Sequence, residues 1–139
     1  MVESNATIVG QALCIFLNHL PEPSYSANRS RGQHWIRQYE DSLDTKDEIV
    51  VLVRSAGWQK APLVKARVVI AFGLPDKRRR DHDGLVQRMK PYFDALITAG
   101  VLSDDSLDVI GWPEYRSSLS PKEPYTLIQV DERTWRRLA

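Results

Sequence analysis

The sequence predicts a small α+β fold with about four strands and two main helices. Two observations carry this. Apolar residues alternate in the stretch after Pro62 and recur at helical spacing in 33–54 and 85–97, and turn-forming clusters separate these runs. The chain has 139 residues, 42% of them hydrophobic and 27% charged, which suits one domain with a single core and makes two full domains unexpected.

Residues 7–20, TIVGQALCIFLNHL, are rich in Ile, Val, Leu and Phe and stop at Pro21 and Pro23, so they read as a strand with an interruption at Gly10. The following PEPSYSANRSRG, 21–32, is dense in Pro, Ser, Asn and Gly and forms a long loop carrying Arg29 and Arg31. In 33–54 the apolar Trp35, Ile36, Tyr39, Leu43, Ile49, Val50, Leu52 and Val53 fit a helix that Gly57 ends. Val64, Ala66, Val68, Ile70 and Phe72 then alternate as a strand, half buried at first and more fully buried later. Leu85, Met89, Phe93, Leu96 and Ile97 return to helical spacing before Gly100. Pro91 requires either that this helix start near Lys90, with the proline in its first turn, or that it kink there. An acidic turn, SDDS, precedes two late strands in 107–120 and 125–133.

Nineteen Lys plus Arg against eighteen Asp plus Glu leave a formal charge of +1, so the overall field marks no nucleic-acid binder and any such signal is local. The single Cys14, set among apolar neighbours, reads as a buried thiol and excludes an internal disulfide or a multi-thiolate zinc site. No apolar run approaches the roughly 20 residues of a membrane span, and VESNAT lacks the features of a signal peptide, so a soluble, cytoplasmic protein is expected.

The chemistry concentrates in 76–106. Asp81 and Asp83 lie one residue apart directly after a predicted strand. In an extended chain their carboxylates point to one side, whereas a helix splays them. Converging carboxylates repel one another and are relieved by a hard divalent cation such as Mg²⁺. Asp104 and Asp105, after the intervening helix, supply a third acidic source. Lys77, Arg78, Arg79 and Arg80 precede the pair and Arg88 and Lys90 follow it, which sets cations beside an acidic pocket. Phosphodiester cleavage uses that combination, a metal to activate water and cations to hold the flanking phosphates. The plainer alternatives are that the two aspartates cap a helix, that Asp104 and Asp105 are turn residues, that Asp94 serves in a structural salt bridge, and that the basic run is a solvated face. Trp58, Trp112 and Trp135 read as core or edge packing.

RRRDHDGLVQRMKPYFDALITAGVLSDDS, about a fifth of the chain, resembles the signature of the RusA family of Holliday junction resolvases: an aspartate pair, a lysine, D-A-L, a glycine and a D-D turn. Asp81 and Asp83 match the pair, Asp94-Ala95-Leu96 the D-A-L, Gly100 the glycine and Asp104-Asp105 the turn. The resemblance implies a small mixed sheet and a homodimer that binds branched DNA, the four-way junction, and nicks it symmetrically with Mg²⁺, for which Mn²⁺ could substitute. It makes Asp81, Asp83 and Asp105 metal ligands and Lys90 the active-site lysine, with no organic cofactor and no membrane partner. Lys77, Arg78, Arg79, Arg80, Arg88, Arg29 and Arg31 would contact nucleic acid. Two positions depart from the pattern. Gly84 replaces the usual Asn, and Lys90 stands seven rather than four residues after Asp83, which leaves Gln87 near the other counting position. The rival expectations are a DNA-junction-binding protein without catalysis on the same scaffold, and a nuclease for flaps or single strands.

Overall fold

A computed structural model describes residues 2–21, 35–77 and 82–133. The chain builds a five-stranded mixed sheet with its helices on one face, an α+β arrangement.

The first apolar stretch forms two strands rather than one. β1 (Asn5–Val9) and β2 (Ala12–Leu17) pair antiparallel with Val9 opposite Ala12, so Gly10 and Gln11 form a two-residue hairpin loop. Gly10 has φ 63° and Gln11 does not share its positive φ, the pattern of a type II′ turn, whose twist matches that of the strands. The glycine therefore reverses the chain where the sequence suggested only an interruption, and it adds a fifth strand.

Helix α1 (Trp35–Ser55) buries Thr45, Ile49 and Val53, spaced four apart. It ends as Gly57 predicted. At φ 81° Gly57 donates its N–H to Arg54 O, and Trp58 donates to Val53 O, satisfying carbonyls that the helix leaves open. Strand β3 (Ala66–Leu74) buries Ala66, Val68, Ile70 and Phe72 as the alternation required. Val64 does not join that row: it is 68% exposed, because the strand starts two residues later and Leu63 takes the inward position in a bridge to Leu102.

Helix α2 (His82–Gln87) and helix α3 (Lys90–Thr98) are separated by a turn at Arg88 and Met89. Pro91 explains the break, since it lacks the N–H that would continue the helix and sits at the start of α3, where no such bond is needed. At the far end Gly100, φ 80°, donates to Ile97 O and Val101 donates to Leu96 O, a second glycine stop of the same kind. The predicted strand in 107–120 begins later than the sequence suggested. Leu107–Ile110 is the one-turn helix α4, and β4 is Glu114–Leu119. Strand β5 is Tyr125–Glu132.

The strand order is β1-β2-β5-β3-β4, antiparallel except for β3 against β4. Parallel neighbours need a crossover connection. Here that crossover is the whole segment from Pro75 to Pro113, so every candidate residue of the acidic and basic signature except Arg29 and Arg31 falls on one excursion of the chain. Leu13, Ile15, Leu17, Val68, Ile70, Ile128 and Val130 of the sheet meet Ile49 and Val53 of α1 and Tyr92, Phe93 and Leu96 of α3 in one buried cluster. Among the described residues no helix is long and apolar enough to cross a membrane.

Candidate functional site

The crossover brings together residues that the sequence keeps apart. Lys90 opens α3 and Asp94 lies one turn further on, a spacing that stacks their side chains on one helix face. Gly100 then turns the chain back. The segment beyond it is held to the strand-like stretch before β3 by Leu63 N–H to Val101 O at 2.9 Å and Ser103 N–H to Leu63 O at 3.0 Å. This return places Asp105 beside the first turn of α3. Lys90 Nζ donates to Asp105 Oδ2 at 2.5 Å and lies 3.2 Å from Asp94 Oδ1.

The pair is not equally wet. The Lys90 side chain is 63% exposed and that of Asp105 only 22%. The hydrogen bond to Asp105 holds the Lys90 ammonium above the ordinary lysine value, outweighing the opposing effect of burial, and Asp94 adds to the rise. The ammonium is therefore charged throughout the physiological range. Asp104 serves the backbone instead. Its Oδ1 accepts the backbone N–H of Asp105 at 2.9 Å, which fixes the turn. Of the two turn aspartates, Asp105 is the one directed at the cluster.

Lys90, Asp94 and Asp105 are thus brought together, and Asp94 takes the ion-pair role expected of it. Lys90 rather than Gln87 is the residue that reaches the acidic turn; Gln87 is exposed at the end of α2. Asp83 departs from the expectation. It is the second residue of α2 rather than part of an extended segment, so the same-side geometry argued for an extended Asp81 and Asp83 does not apply. Of Asp83 the backbone alone is described, and Asp81 lies outside the described residues, as do Arg78, Arg79, Arg80, Arg29 and Arg31. Lys77 is exposed just past the end of β3, where a phosphate can reach it, and Arg88 is half-buried in the turn between α2 and α3. Among the described residues no three His, Cys, Asp or Glu side chains converge to hold a metal ion.

Two expectations about packing change. Cys14 is half-buried and points to the sheet face opposite the core, because β2 buries Leu13, Ile15 and Leu17 instead. Trp112, read as core or edge packing, is 88% exposed between Gly111 and Pro113, whereas Trp58 does pack on the core and donates its Nε1–H to Gly100 O at 3.2 Å. Asp94 stood outside the candidate ligands and lysine, although its four-residue spacing from Lys90 was the signal that tied it to them.

No family model matches the chain. A protein of Xylella fastidiosa (strain Temecula1 / ATCC 700964), described as uncharacterized, is 31% identical over 88 residues, 61% of this chain, and the chain spans 58% of that relative's length.

Proposed function

We propose that the chain is a RusA-type endodeoxyribonuclease that acts as a homodimer on four-way DNA junctions with Mg²⁺, cutting both strands symmetrically. One observation carries the reading. Lys90, Asp94 and Asp105, which the resemblance selects from separate parts of the sequence, meet within 3.2 Å of one ammonium nitrogen. A homodimer fits the substrate, since a two-fold junction needs two matching cuts.

The donor set suits the metal. Carboxylate oxygens are the ligands a hard divalent cation takes, and Asp105 meets Lys90 through one of its two oxygens. Asp105, Asp83 and Asp81 would hold the ion. When bound, it supplies a Lewis acid and a water of lowered pKa for attack on phosphorus. The chain's own residues do the rest. Asp104 fixes the Asp105 backbone, Lys90 orients the Asp105 carboxylate, and the same ammonium stands ready to balance charge on an incoming phosphate. Lys77 and the cations after it add attraction for the flanking backbone.

The test is cleavage of a synthetic four-way junction by the wild type and by Asp83→Asn and Asp105→Asn, with Mg²⁺ and with EDTA. Paired symmetric nicks that need metal and both aspartates are expected. Tight junction binding with no cleavage in any divalent metal would replace this reading with a non-catalytic junction binder. Cleavage confined to flaps or single strands would remove the junction assignment.

A further inference from the structure

Trp112 is the most exposed large apolar side chain among the described residues. A valine or leucine in water is ordinary, but tryptophan is largely buried on average, and where it stands at a surface it is enriched in binding sites. The backbone on both sides fixes where this ring stands. Before it, Gly111 has φ 59° and ψ −144°, a conformation open essentially to glycine alone, and donates its N–H to Leu107 O at 2.9 Å to close α4. After it, Pro113 disfavours helical backbone at Trp112, and Glu114 begins β4 opposite Val69 of β3.

Two cations brace the same corner from elsewhere in the chain. Lys65 Nζ and Arg133 Nη2 donate to Asp108 O at 2.6 and 3.3 Å. Arg133 Nη1 lies so close to Gly111 that a Cβ there would meet it at 2.5 Å. The ring therefore projects from a braced turn, and a group that stacks on it has little backbone motion to quench. The nearby charge favours an anion. Glu114 is engaged by Arg67 and Arg116, which leaves the exposed Asp108 against Lys65 and Arg133.

The corner also lies close to the candidate site along the chain. Trp112 follows Asp105 by seven residues, three of the steps in α4, so the two Cα atoms are at most about 19 Å apart. A stacked strand covers that distance in about five nucleotides at ~3.4 Å each. A flat π-face that carries its own negative charge is a nucleobase with its phosphate. Inside a duplex both faces of a base are covered by its neighbours, so the base that can reach an indole is an unpaired one.

We infer that Trp112 is a stacking platform for an unpaired DNA base beside the phosphate that the Lys90 and Asp105 cluster would receive. The inference rests on the nuclease reading for the identity of the ligand as DNA. It adds a residue outside the aspartate signature that selects distorted over fully paired DNA.

Because the ring is exposed, Trp112→Ala should keep its Tm within about 3 °C of the wild type. Affinity is measured by fluorescence anisotropy in EDTA for a short single-stranded oligonucleotide, its fully paired duplex and a four-way junction. Loss of one base stack should weaken single-strand and junction binding by about 5- to 150-fold and duplex binding by less than about 2-fold. Trp112→Phe, which keeps a smaller ring, should recover most of the loss. The slope of log affinity against log salt should match that of the wild type, since a stacking contact releases no counterion. Equal losses on duplex and single strand, a flatter salt slope, or a phenylalanine variant as weak as the alanine one would overturn the inference. Unchanged affinity for all three probes would make the ring a contact for a protein and overturn it as well. Junction cleavage with Mg²⁺ is scored separately. Cleavage by a chain whose DNA affinity ignores Trp112 leaves the nuclease reading without the platform, and stacking by a chain that cuts nothing leaves the platform without the nuclease. A wild type that binds none of the probes overturns both.

Discussion

Replacing Lys90 by Met removes the ammonium and keeps most of the side-chain bulk, and it separates a structural role from a catalytic one. Lys90 touches two carboxylates but is 63% exposed, so its ion pairs are screened by water. Exposed pairs contribute about 0.2–1 kcal/mol, and the partial burial of Asp105 puts this one near the upper end, about 1 kcal/mol. In a chain of this size that lowers Tm by about 4 °C. Loss of a charge that stabilises the reacting phosphate costs far more, about 10²- to 10³-fold in rate. The expected outcome is thus a small shift in urea or thermal unfolding with junction cleavage reduced at least about 100-fold. A double-mutant cycle with Asp105→Asn should recover a coupling of about 0.5–1 kcal/mol. The pH dependence follows from the direction of the pKa. The folded value lies above the ordinary 10.5, so the ammonium's contribution is complete below 10.5 and is lost as pH rises through the folded value. The stability difference between Lys90→Met and the wild type should therefore be flat from roughly pH 6 to 9 and shrink above 10.5. Unchanged cleavage would refute the role of Lys90 in the reaction. A fall in Tm of more than about 10 °C would show that the cluster is chiefly structural.

Other outcomes follow from packing and charge. Leu96→Ala removes a buried side chain between α3 and the sheet and should cost about 2–5 kcal/mol in urea unfolding. Gly73→Ala would set a Cβ 2.2 Å from the Tyr125 ring, forcing the ring off Phe16 and away from its hydrogen bond with Ser118. A loss of about 1–3 kcal/mol is expected, and Tyr125→Ala in the same chain should remove most of the added penalty, measured as non-additivity of the two changes. Lys77→Gln removes an exposed cation beyond β3, so junction affinity should fall and the slope of log affinity against log salt should lessen by about one, with Tm unchanged within about 1 °C.

Residues whose effect is local could be read from the sequence. Gly57 and Gly100 mark helix ends because each takes a positive φ that other side chains resist, and Pro91 marks the start of α3 because it has no N–H to give. The alternation of Ala66, Val68, Ile70 and Phe72 named the buried face of β3. Asp94 was expected in a salt bridge without a named partner, and its four-residue spacing from Lys90 accounts for the contact, since residues four apart share a helix face. What depended on partners distant in sequence was decided only by the tertiary structure. Gly10 could break a strand or reverse it, and the pairing of Val9 with Ala12 selects reversal. Asp104 and Asp105 are equivalent as letters. The return of the chain along Leu63 turns one inward to Lys90 and leaves the other to hold the backbone. The alternation after Pro62 suggested a strand more fully buried toward its end, but only the sheet order and the placement of α1 and α3 show which side the helices cover. Local conformation is set by each residue's own sterics and hydrogen-bonding groups, whereas convergence across fifteen residues or between strands is set by which surfaces the chain must bury together.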